Sequence, residues 1–285
     1  ELVAKMRAST AVMGPLLGRF GRAKIAMPGG CNLGARKIDM HILGLEALGV
    51  KFDTDHGYIH ADASEGLTGT TVTLEFASVG ATENLIMAAV RAKGTTVIDN
   101  AAREPEIVDL ACMLNEMGAK IVGAGSPVVQ IEGVEELHPV THRVIGDRIE
   151  AGALMAEDGG IEVTGFNAAH LGMVIKKFEL MGVQIDRIEG GVRVHRADVL
   201  RPVDIQTLPF PGFPTDMQAQ AMVLSALADG SSVITENIFE NRFMFASELV
   251  RMGASIRIES HHAIIHGVQG LSGAQVVSPD LRGGA

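Results

Sequence analysis

Aromatic residues are scarce in this chain: they make up 4% of its 285 residues, and tryptophan is absent. Aromatic side chains are the surfaces on which nucleic-acid bases stack, so a stacking platform is not expected. The formal net charge of −10 also argues against non-specific binding to a phosphate backbone. The composition therefore argues against a nucleic-acid partner, while it leaves room for a local basic pocket that holds phosphate.

Several other features are missing. The two cysteines do not suggest a disulfide framework, and a reducing cytoplasm is the simplest compartment. The sequence has no apolar run of about eighteen residues and no opening secretory signal, so we expect a cytoplasmic protein without a membrane partner. It also lacks a Walker loop, a dinucleotide-type glycine fingerprint after a strand and a Gly-x-Ser-x-Gly elbow. The hydrophobic content of 47% is enough for a large core or two domains.

Four segments of the chain resemble one another. In each, an apolar stripe with helical spacing ends at a glycine, and two short β-branched runs follow. The glycines are Gly49, Gly118, Gly182 and Gly253, which lie 64 to 71 residues apart. The pattern predicts a helix that ends at a C′ glycine and a β-hairpin after it. With the helix and strand that precede each stripe, it predicts repeats of helix–strand–helix–strand–strand in an α/β protein.

Polar residues that break the apolar pattern collect where these repeats join. They are Arg7, Arg36, Asp39 and the stretches 78–82, 101–106, 147–150, 214–220, 240–243 and 280–282. Each has a purely structural interpretation: Thr215 and Asp216 are typical of a helix N-cap, and residues 240–242 of a solvated turn. Taken together, several arginines at the ends of elements indicate an anionic ligand held at helix N-termini.

Cys31 lies among glycines in the stretch 28–36, five residues before Arg36. The glycines predict a mobile or tightly turned loop. A thiol near a fixed positive charge has a lowered pKa, which suits an acid or a nucleophile near neutral pH. The alternative is a small buried hydrophobe that falls near glycines by chance. The loop alone favours neither interpretation.

The histidines do not indicate a metal site. His138 and His142 bracket a proline, and His262 and His266 lie in an alternating, strand-like run. Neither pair has the helical setting with a carboxylate that is typical of zinc ligands, so we expect no metal. Cys112 lies in an apolar helix and is expected to be structural.

These motifs resemble the UDP-N-acetylglucosamine 1-carboxyvinyltransferase family of enolpyruvyl transferases. The matching stretches run in family order along the whole chain: 5–9, 28–36, 78–82, 101–106, 147–150, 213–220, 240–244 and 272–275. The cysteine loop together with the block 213–220 is highly specific. The sister family of the shikimate pathway shares the fold but lacks the cysteine loop.

The resemblance implies an inside-out α/β barrel of two domains, each built from three repeats. The first domain would be residues 1–145, without its first repeat, and the second would be residues 146–285, without its last repeat. Four of six repeats would then be present. A Lys-Asn pair of the family would fall upstream of Glu1 and a late arginine beyond Ala285, so the chain is expected to be truncated at both ends. Residues 151–160 are about one helical turn (roughly four residues) shorter than the family pattern.

The resemblance also implies a reaction: enolpyruvyl passes from phosphoenolpyruvate to the 3′-hydroxyl of UDP-N-acetylglucosamine, and phosphate is released. No cofactor is implied. Cys31 would be the general acid and the site of covalent adducts such as that with fosfomycin, and Asp216 would accept the hydroxyl proton. The substrate-binding residues would be Arg36 on the phosphates, Arg242 and Arg282 on the pyruvyl carboxylate, and Arg7, Asp39, Ser78, Val79 and Gly80 around the nucleotide sugar. The alternative is an inactive fragment that at most binds the nucleotide sugar.

Overall fold

The computed structural model of the protein describes residues 7–27, 38–156 and 160–278. These residues fall into two compact units. The first unit comprises residues 7–27 and 38–144, and the second comprises residues 145–156 and 160–278. The assignment of residues 1–145 and 146–285 to two barrel domains stays a prediction.

The first unit alternates helices with two small sheets. A 3-10 helix (Arg7–Val12) leads into α1 (Met13–Phe20), and the further elements are β1 (Arg22–Ala26), α2 (Asp39–Ala47), β2 (Lys51–Asp55), β3 (Tyr58–Asp62), β4 (Thr71–Thr73), α3 (Val79–Ala89), β5 (Thr95–Asp99), α4 (Pro105–Glu116), β6 (Lys120–Val122) and β7 (Val128–Glu132). The strand orders in the two sheets are β1-β3-β2 and β4-β5-β7-β6.

The second unit has the same plan. Its elements are α5 (Arg148–Leu154), β8 (Ile161–Thr164), a 3-10 helix (Ala168–Leu171), α6 (Gly172–Leu180), β9 (Gln184–Ile188), β10 (Gly191–His195), β11 (Ile205–Gln206), a 3-10 helix (Thr215–Met217), α7 (Gln218–Ala226), β12 (Ser231–Thr235), α8 (Ala246–Arg251), β13 (Ser255–Glu259) and β14 (His262–His266). The strand orders are β8-β10-β9 and β11-β12-β14-β13. Residues 157–159 of the segment predicted to be shortened lie outside the described residues.

The four repeated glycines share one backbone conformation. Gly49, Gly118, Gly182 and Gly253 have φ of +101°, +100°, +98° and +100°. This left-handed region is open to glycine because it has no Cβ, and it ends a helix by turning the chain away from the helix axis. Each glycine follows α2, α4, α6 or α8, and an antiparallel hairpin comes next. The predicted helix, glycine and hairpin are therefore confirmed in all four segments.

Two short parallel strands were not predicted from the sequence. Val72 in β4 pairs with Ile98 in β5, and Ile205 in β11 pairs with Ile234 in β12, both in parallel register. They add a fourth strand to one sheet of each unit. The described strands form four open sheets, and no closed barrel is found among them, so the inside-out barrel stays a proposal.

One helix in each unit is buried almost all round. In α3, Leu85, Ile86 and Ala89 have no exposed surface, and in α7, Ala221 and Met222 have none. A helix that is buried on nearly every side is a core helix, and the small alanines let neighbouring elements approach closely. The helices α3 and α7 hold equivalent places in the repeat pattern. The predicted residues Ser78, Val79 and Gly80 lie at the N-terminal end of α3, and Asp216 lies just before α7.

Candidate active site

The predicted site residues divide into those that the structure describes and those that it does not. Cys31, Arg36 and Arg282 lie outside the described residues, and Arg7 begins the 3-10 helix at residues 7–12. The roles predicted for these four residues, and for the other six, stay proposals. The remaining six fall into one group in each compact unit.

In the first unit, the predicted nucleotide-sugar residues lie at two helix N-termini. Asp39 is exposed and begins α2, where its Oδ1 accepts a hydrogen bond of 3.1 Å from the backbone N–H of Met40. Ser78 is the N-cap of α3, with its Oγ accepting from the N–H of Ala81 at 3.3 Å. Val79 and Gly80 form the first turn of α3. Ser78 thus starts the helix, and the backbone N–H groups of Val79 and Gly80 at this end can donate to a ligand.

A close contact joins these two N-termini. A Cβ built on Gly80 would lie 3.2 Å from Cε1 of His41, which is in the first turn of α2. That distance is shorter than a normal van der Waals contact, so the absence of a side chain at residue 80 lets α2 and α3 approach.

A buried hydrogen-bond network around Asn84 supports this arrangement. Oδ1 of Asn84 accepts from the N–H of Gly14 at 2.7 Å, and Nδ2 donates to the carbonyl of Thr10 at 2.7 Å. Nδ2 also lies 2.8 Å from Nδ1 of His41. Because both amide hydrogens of Asn84 are donated, Nδ1 of His41 is the acceptor and its proton resides on Nε2. One fully buried amide therefore fixes α3 against α2 and against the segment that begins at Arg7.

Asn84 was not predicted from the sequence as part of the site. The signal was present, because an asparagine in the apolar run of α3 must satisfy its amide inside the core. A neighbouring polar residue does the same: Oγ1 of Thr82 donates to the carbonyl of Ser78 at 2.8 Å and accepts from the N–H of Ala102 at 3.0 Å. This second contact ties the start of α3 to the predicted stretch 101–106.

A carboxyl group on α3 has an unusual proton affinity. Burial raises the pKa of Glu83 to about 7, and the negative charges of Glu106 and Glu104 add to the effect. Removing a carboxylate from water disfavours its charged form, and nearby like charges do the same. Glu83 can thus hold or release a proton near neutral pH.

In the second unit, the structure brings two predicted site residues together. Nη2 of Arg242 donates to Oδ1 of Asp216 at 2.8 Å. The Arg242 side chain is 4% exposed, whereas that of Asp216 is 39% exposed. The pair therefore offers a solvent-accessible proton acceptor next to a fixed, buried positive charge.

Of the two structural interpretations of these residues, the N-cap was wrong and the solvated turn holds only in part. Asp216 lies in the 3-10 helix Thr215–Met217, and neither this helix nor α7 has a side-chain cap. Its carboxylate instead meets a guanidinium that is distant in sequence. Residues 240–242 do form a turn, and Glu240 and Asn241 are exposed as predicted. Arg242 departs from the prediction, because it is buried by its contact with Asp216 and by its position over the ring of Phe239, 5.3 Å from the ring centre.

The remaining titratable residues from the sequence analysis give a mixed result. His262 and His266 lie on β14, as the alternating pattern indicates. His142 does have carboxylate partners: its ring nitrogens lie 3.0 Å from Asp109 and 3.2 Å from Glu116, and these hydrogen bonds, that of Asp109 foremost, raise its pKa. Cys112 lies in α4 but is exposed, so it is not a packed core residue.

Metal-binding clusters and membrane-spanning helices are both absent from the described residues. Within 7–27, 38–156 and 160–278, no group of three or more histidines, cysteines or acidic residues is placed to hold a metal ion. No helix in these ranges combines the length and the apolar character needed to cross a membrane.

Comparison with known protein families and structures gives the fold a name. The EPSP synthase (3-phosphoshikimate 1-carboxyvinyltransferase) family model matches residues 1–285. The crystal structure of the enolpyruvyl transferase NikO from Streptomyces tendae is similar with a TM-score of 0.82 and 25% sequence identity, over 93% of this chain and 64% of that one. These matches define a two-domain α/β protein with the enolpyruvyl transferase fold.

Sequence relatives narrow the class. Over 289 residues the chain is 53% identical to UDP-N-acetylglucosamine 1-carboxyvinyltransferase 1 of Staphylococcus aureus strain N315. Over 291 residues it is 55% identical to UDP-N-acetylglucosamine 1-carboxyvinyltransferase 2 of Carboxydothermus hydrogenoformans. Both matches cover all of this chain and 69% of the relative. The chain belongs to the UDP-N-acetylglucosamine 1-carboxyvinyltransferase family of transferases.

Proposed function

We propose that this protein transfers enolpyruvyl from phosphoenolpyruvate to the 3′-hydroxyl of UDP-N-acetylglucosamine and releases phosphate, in the synthesis of peptidoglycan precursors. The observation that carries the proposal is the 2.8 Å pair of Asp216 and Arg242 at the start of the buried helix α7. A proton acceptor beside a cation is what an addition to an anionic enol ester requires. The names of the close relatives support the choice of substrates.

In the proposed reaction, the hydroxyl oxygen of the sugar attacks C2 of phosphoenolpyruvate, and its proton passes to the carboxylate of Asp216. The vinyl carbon takes a proton from the thiol of Cys31. Phosphate then leaves C2 as the vinyl carbon gives up one proton to Cys31, which restores the double bond, and the hydroxyl proton leaves with the phosphate. No electrons are exchanged, so the reaction needs no redox cofactor, and none is proposed.

Arg242 has a second role in this proposal. Its guanidinium carries five N–H donors, and the contact with Asp216 uses the nitrogen Nη2. The remaining donors would bind the pyruvyl carboxylate of the substrate, with Arg282 as the second contact. A guanidinium fixed before the reaction stabilises developing negative charge without reorganisation during the reaction.

The first unit would bind the nucleotide sugar. The N-terminus of α3, with Ser78, Val79 and Gly80, supplies backbone N–H groups and a partial positive charge. Asp39 begins the neighbouring helix and would bind a hydroxyl or amide of the ligand. Arg7 and Arg36 would contact the phosphates and the sugar. The proposal places the protein in the cytoplasm, with small molecules as its partners.

The acceptor test decides between this function and that of the sister family. Phosphate release from phosphoenolpyruvate is measured with UDP-N-acetylglucosamine and, separately, with shikimate 3-phosphate. We expect release only with the nucleotide sugar, and a loss of about 100-fold or more in kcat for Asp216→Asn, since a general base contributes that much. Asp198→Asn, at an exposed carboxylate of the same unit, is the matched control. Release with shikimate 3-phosphate would overturn the assignment. Calorimetric binding of the nucleotide sugar without any turnover would favour the inactive fragment instead.

A further inference from the structure

Glu236 is a buried carboxylate that no motif singles out. It follows β12 directly and is 3% exposed. Its two oxygens accept four hydrogen bonds, all from the second unit. Oε2 accepts from Oγ1 of Thr215 at 2.9 Å and from Nε2 of Gln218 at 2.7 Å. Oε1 accepts from the backbone N–H groups of Ile238 at 2.8 Å and Phe239 at 3.0 Å.

The two oxygens bind two different segments, and each segment carries one member of the Asp216–Arg242 pair. Thr215 and Gln218 flank Asp216 on the 3-10 helix and the first turn of α7. The turn that contains Phe239 leads to Arg242, whose guanidinium lies over the ring of Phe239. The carboxylate of Glu236 is therefore a bridge between the proton acceptor and its cation, although it contacts neither of them in the hydrogen bonds described above.

Neighbouring contacts hold the bridge itself in place. The backbone N–H of Glu236 donates to the carbonyl of His261 at 2.8 Å. The next residue, Asn237, donates from its backbone N–H to Oγ1 of Thr207 at 2.9 Å and from Nδ2 to the carbonyl of Thr207 at 3.1 Å. Thr207 is fully buried. The backbone of Glu236 and the side chain of Asn237 are both held in place. A shorter or longer side chain at residue 236 would therefore shift the segments that it binds, and the backbone of residue 236 would stay where it is.

A buried carboxylate joins two segments only at a cost in desolvation free energy. Taking a charged group out of water raises the free energy of the folded state unless its hydrogen-bond partners compensate. An apolar side chain would fill the space without that cost, but it would leave the donors of Thr215, Gln218 and the turn unsatisfied. We propose that Glu236 is a positioning residue, which sets the distance between Asp216 and Arg242 for the proton transfer of the proposed function.

The hydrogen-bond partners of Glu236 make it possible to distinguish the effect of its position from the effect of its charge. Oε1 of Gln218 has no hydrogen-bond partner among the described residues, so this amide can turn over and accept instead of donate. The hydroxyl of Thr215 can likewise accept. A glutamine at residue 236 can therefore keep all four contacts, with its oxygen facing the backbone N–H groups and its NH2 group facing Gln218 and Thr215. An aspartate keeps the charge but is one methylene too short to span both segments.

The test compares Glu236→Gln, Glu236→Asp and Glu236→Ala in the phosphate-release assay, with thermal unfolding of each variant. We expect Glu236→Asp and Glu236→Ala to lower kcat by about 10- to 100-fold, because a misplaced catalytic group costs that much. The KM for the nucleotide sugar should change less than kcat, because the first unit binds it. Glu236→Gln should recover most of the kcat that Glu236→Ala loses. Glu259→Gln, at an exposed carboxylate of β13, is the control.

Three results would overturn the inference. If Glu236→Asp keeps kcat while Glu236→Gln loses as much as Glu236→Ala, the charge matters and not the position. If all three variants keep kcat while the unfolding temperature falls, Glu236 is purely structural. If wild-type protein shows no transfer, the proposed function is wrong, and only the unfolding temperatures of the variants then test whether Glu236 positions Asp216 and Arg242. In that case Asp216→Asn should lower the unfolding temperature less in the Glu236→Ala background than in wild type, whereas equal decreases would overturn it.

Discussion

Asp216 and Arg242 are joined by a hydrogen bond of 2.8 Å between Oδ1 and Nη2, although 26 positions separate them in the chain. The two partners differ sharply in exposure, since Arg242 is buried and Asp216 is open to solvent over 39% of its side chain. The guanidinium thus depends on Asp216 and on the face of Phe239 for the compensation of its charge. The carboxylate, in contrast, remains accessible to a substrate.

This asymmetry predicts unequal effects of mutation on stability. Asp216→Ala leaves a buried guanidinium without its carboxylate, and we expect a loss of about 1–3 kcal/mol in the free energy of unfolding, measured with urea. The exposed pair of Arg257 and Glu259 is the matched comparison. Glu259→Ala should cost less than about 1 kcal/mol, because exposed ion pairs contribute little. Equal losses for the two variants would show that burial of Arg242 does not depend on Asp216.

Asn84 is predicted to couple the stability of the first unit to ligand binding. Asn84→Ala removes hydrogen bonds to Thr10, Gly14 and His41 inside the core, and we expect it to cost about 2–4 kcal/mol in urea unfolding. It should also weaken binding of UDP-N-acetylglucosamine in calorimetry. Asn115→Ala is the control, because Asn115 makes two hydrogen bonds to Ile121 away from the predicted site. It should lower stability without changing affinity, and the same change of affinity in both variants would contradict this role of Asn84.

Gly80 is predicted to be required for the approach of α2 to α3. An alanine there would place its Cβ 3.2 Å from His41, which Asn84 holds in place. A matched control exists in Gly172, the first residue of α6, where an added Cβ would meet no atom within 4 Å. Gly172→Ala should stabilise the protein by about 0.4–1 kcal/mol because the unfolded chain loses freedom. Gly80→Ala should lack this gain and should bind the nucleotide sugar more weakly. An equal gain in stability in both variants would mean that His41 can move away from an added Cβ without a cost in free energy.

The raised pKa of Glu83 should make the stability of the protein depend on pH. Its pKa rises from 4.5 to about 7 on folding, chiefly through burial. Between these values the folded chain keeps a proton that the unfolded chain releases, so this carboxyl lowers stability as pH increases through the window. Glu83→Gln removes the effect, and its stability relative to wild type should grow by about 3 kcal/mol from pH 4.5 to 7. Urea unfolding at pH 5 and pH 8 measures this. Glu46→Gln, on the exposed side of α2, is the control, and a difference for Glu83→Gln that is the same at both pH values would contradict the prediction.

The repeated helix, glycine and hairpin could be predicted because they depend on neighbours in sequence. The left-handed conformation of Gly118, for example, follows from its place between an apolar stripe and a β-branched run. The strands β4 and β11 could not be predicted in this way. They have three and two residues, and their parallel partners lie more than twenty positions further along the chain.

Family motifs select Asp216 and Arg242 as candidate site residues, but they do not give the contact between them. Asp216 and Arg242 came from family motifs, whereas local pattern alone favoured an N-cap and a solvated turn. The pairing is decided by a fold that brings distant segments together, and a local pattern contains no information on it. Asn84 and Glu236 were not predicted for a related reason. A polar residue in an amphipathic pattern is usually exposed, and only the tertiary structure supplies the partners that allow its burial.

The most direct test of the central claim is the identity of the product. The protein is incubated with UDP-N-acetylglucosamine and phosphoenolpyruvate, and the nucleotide sugar is examined by mass spectrometry. We expect the sugar to gain one enolpyruvyl group in place of a hydrogen atom, free phosphate to appear in equal amount, and Asp216→Asn to suppress both. An unchanged nucleotide sugar in the presence of folded protein would contradict the account.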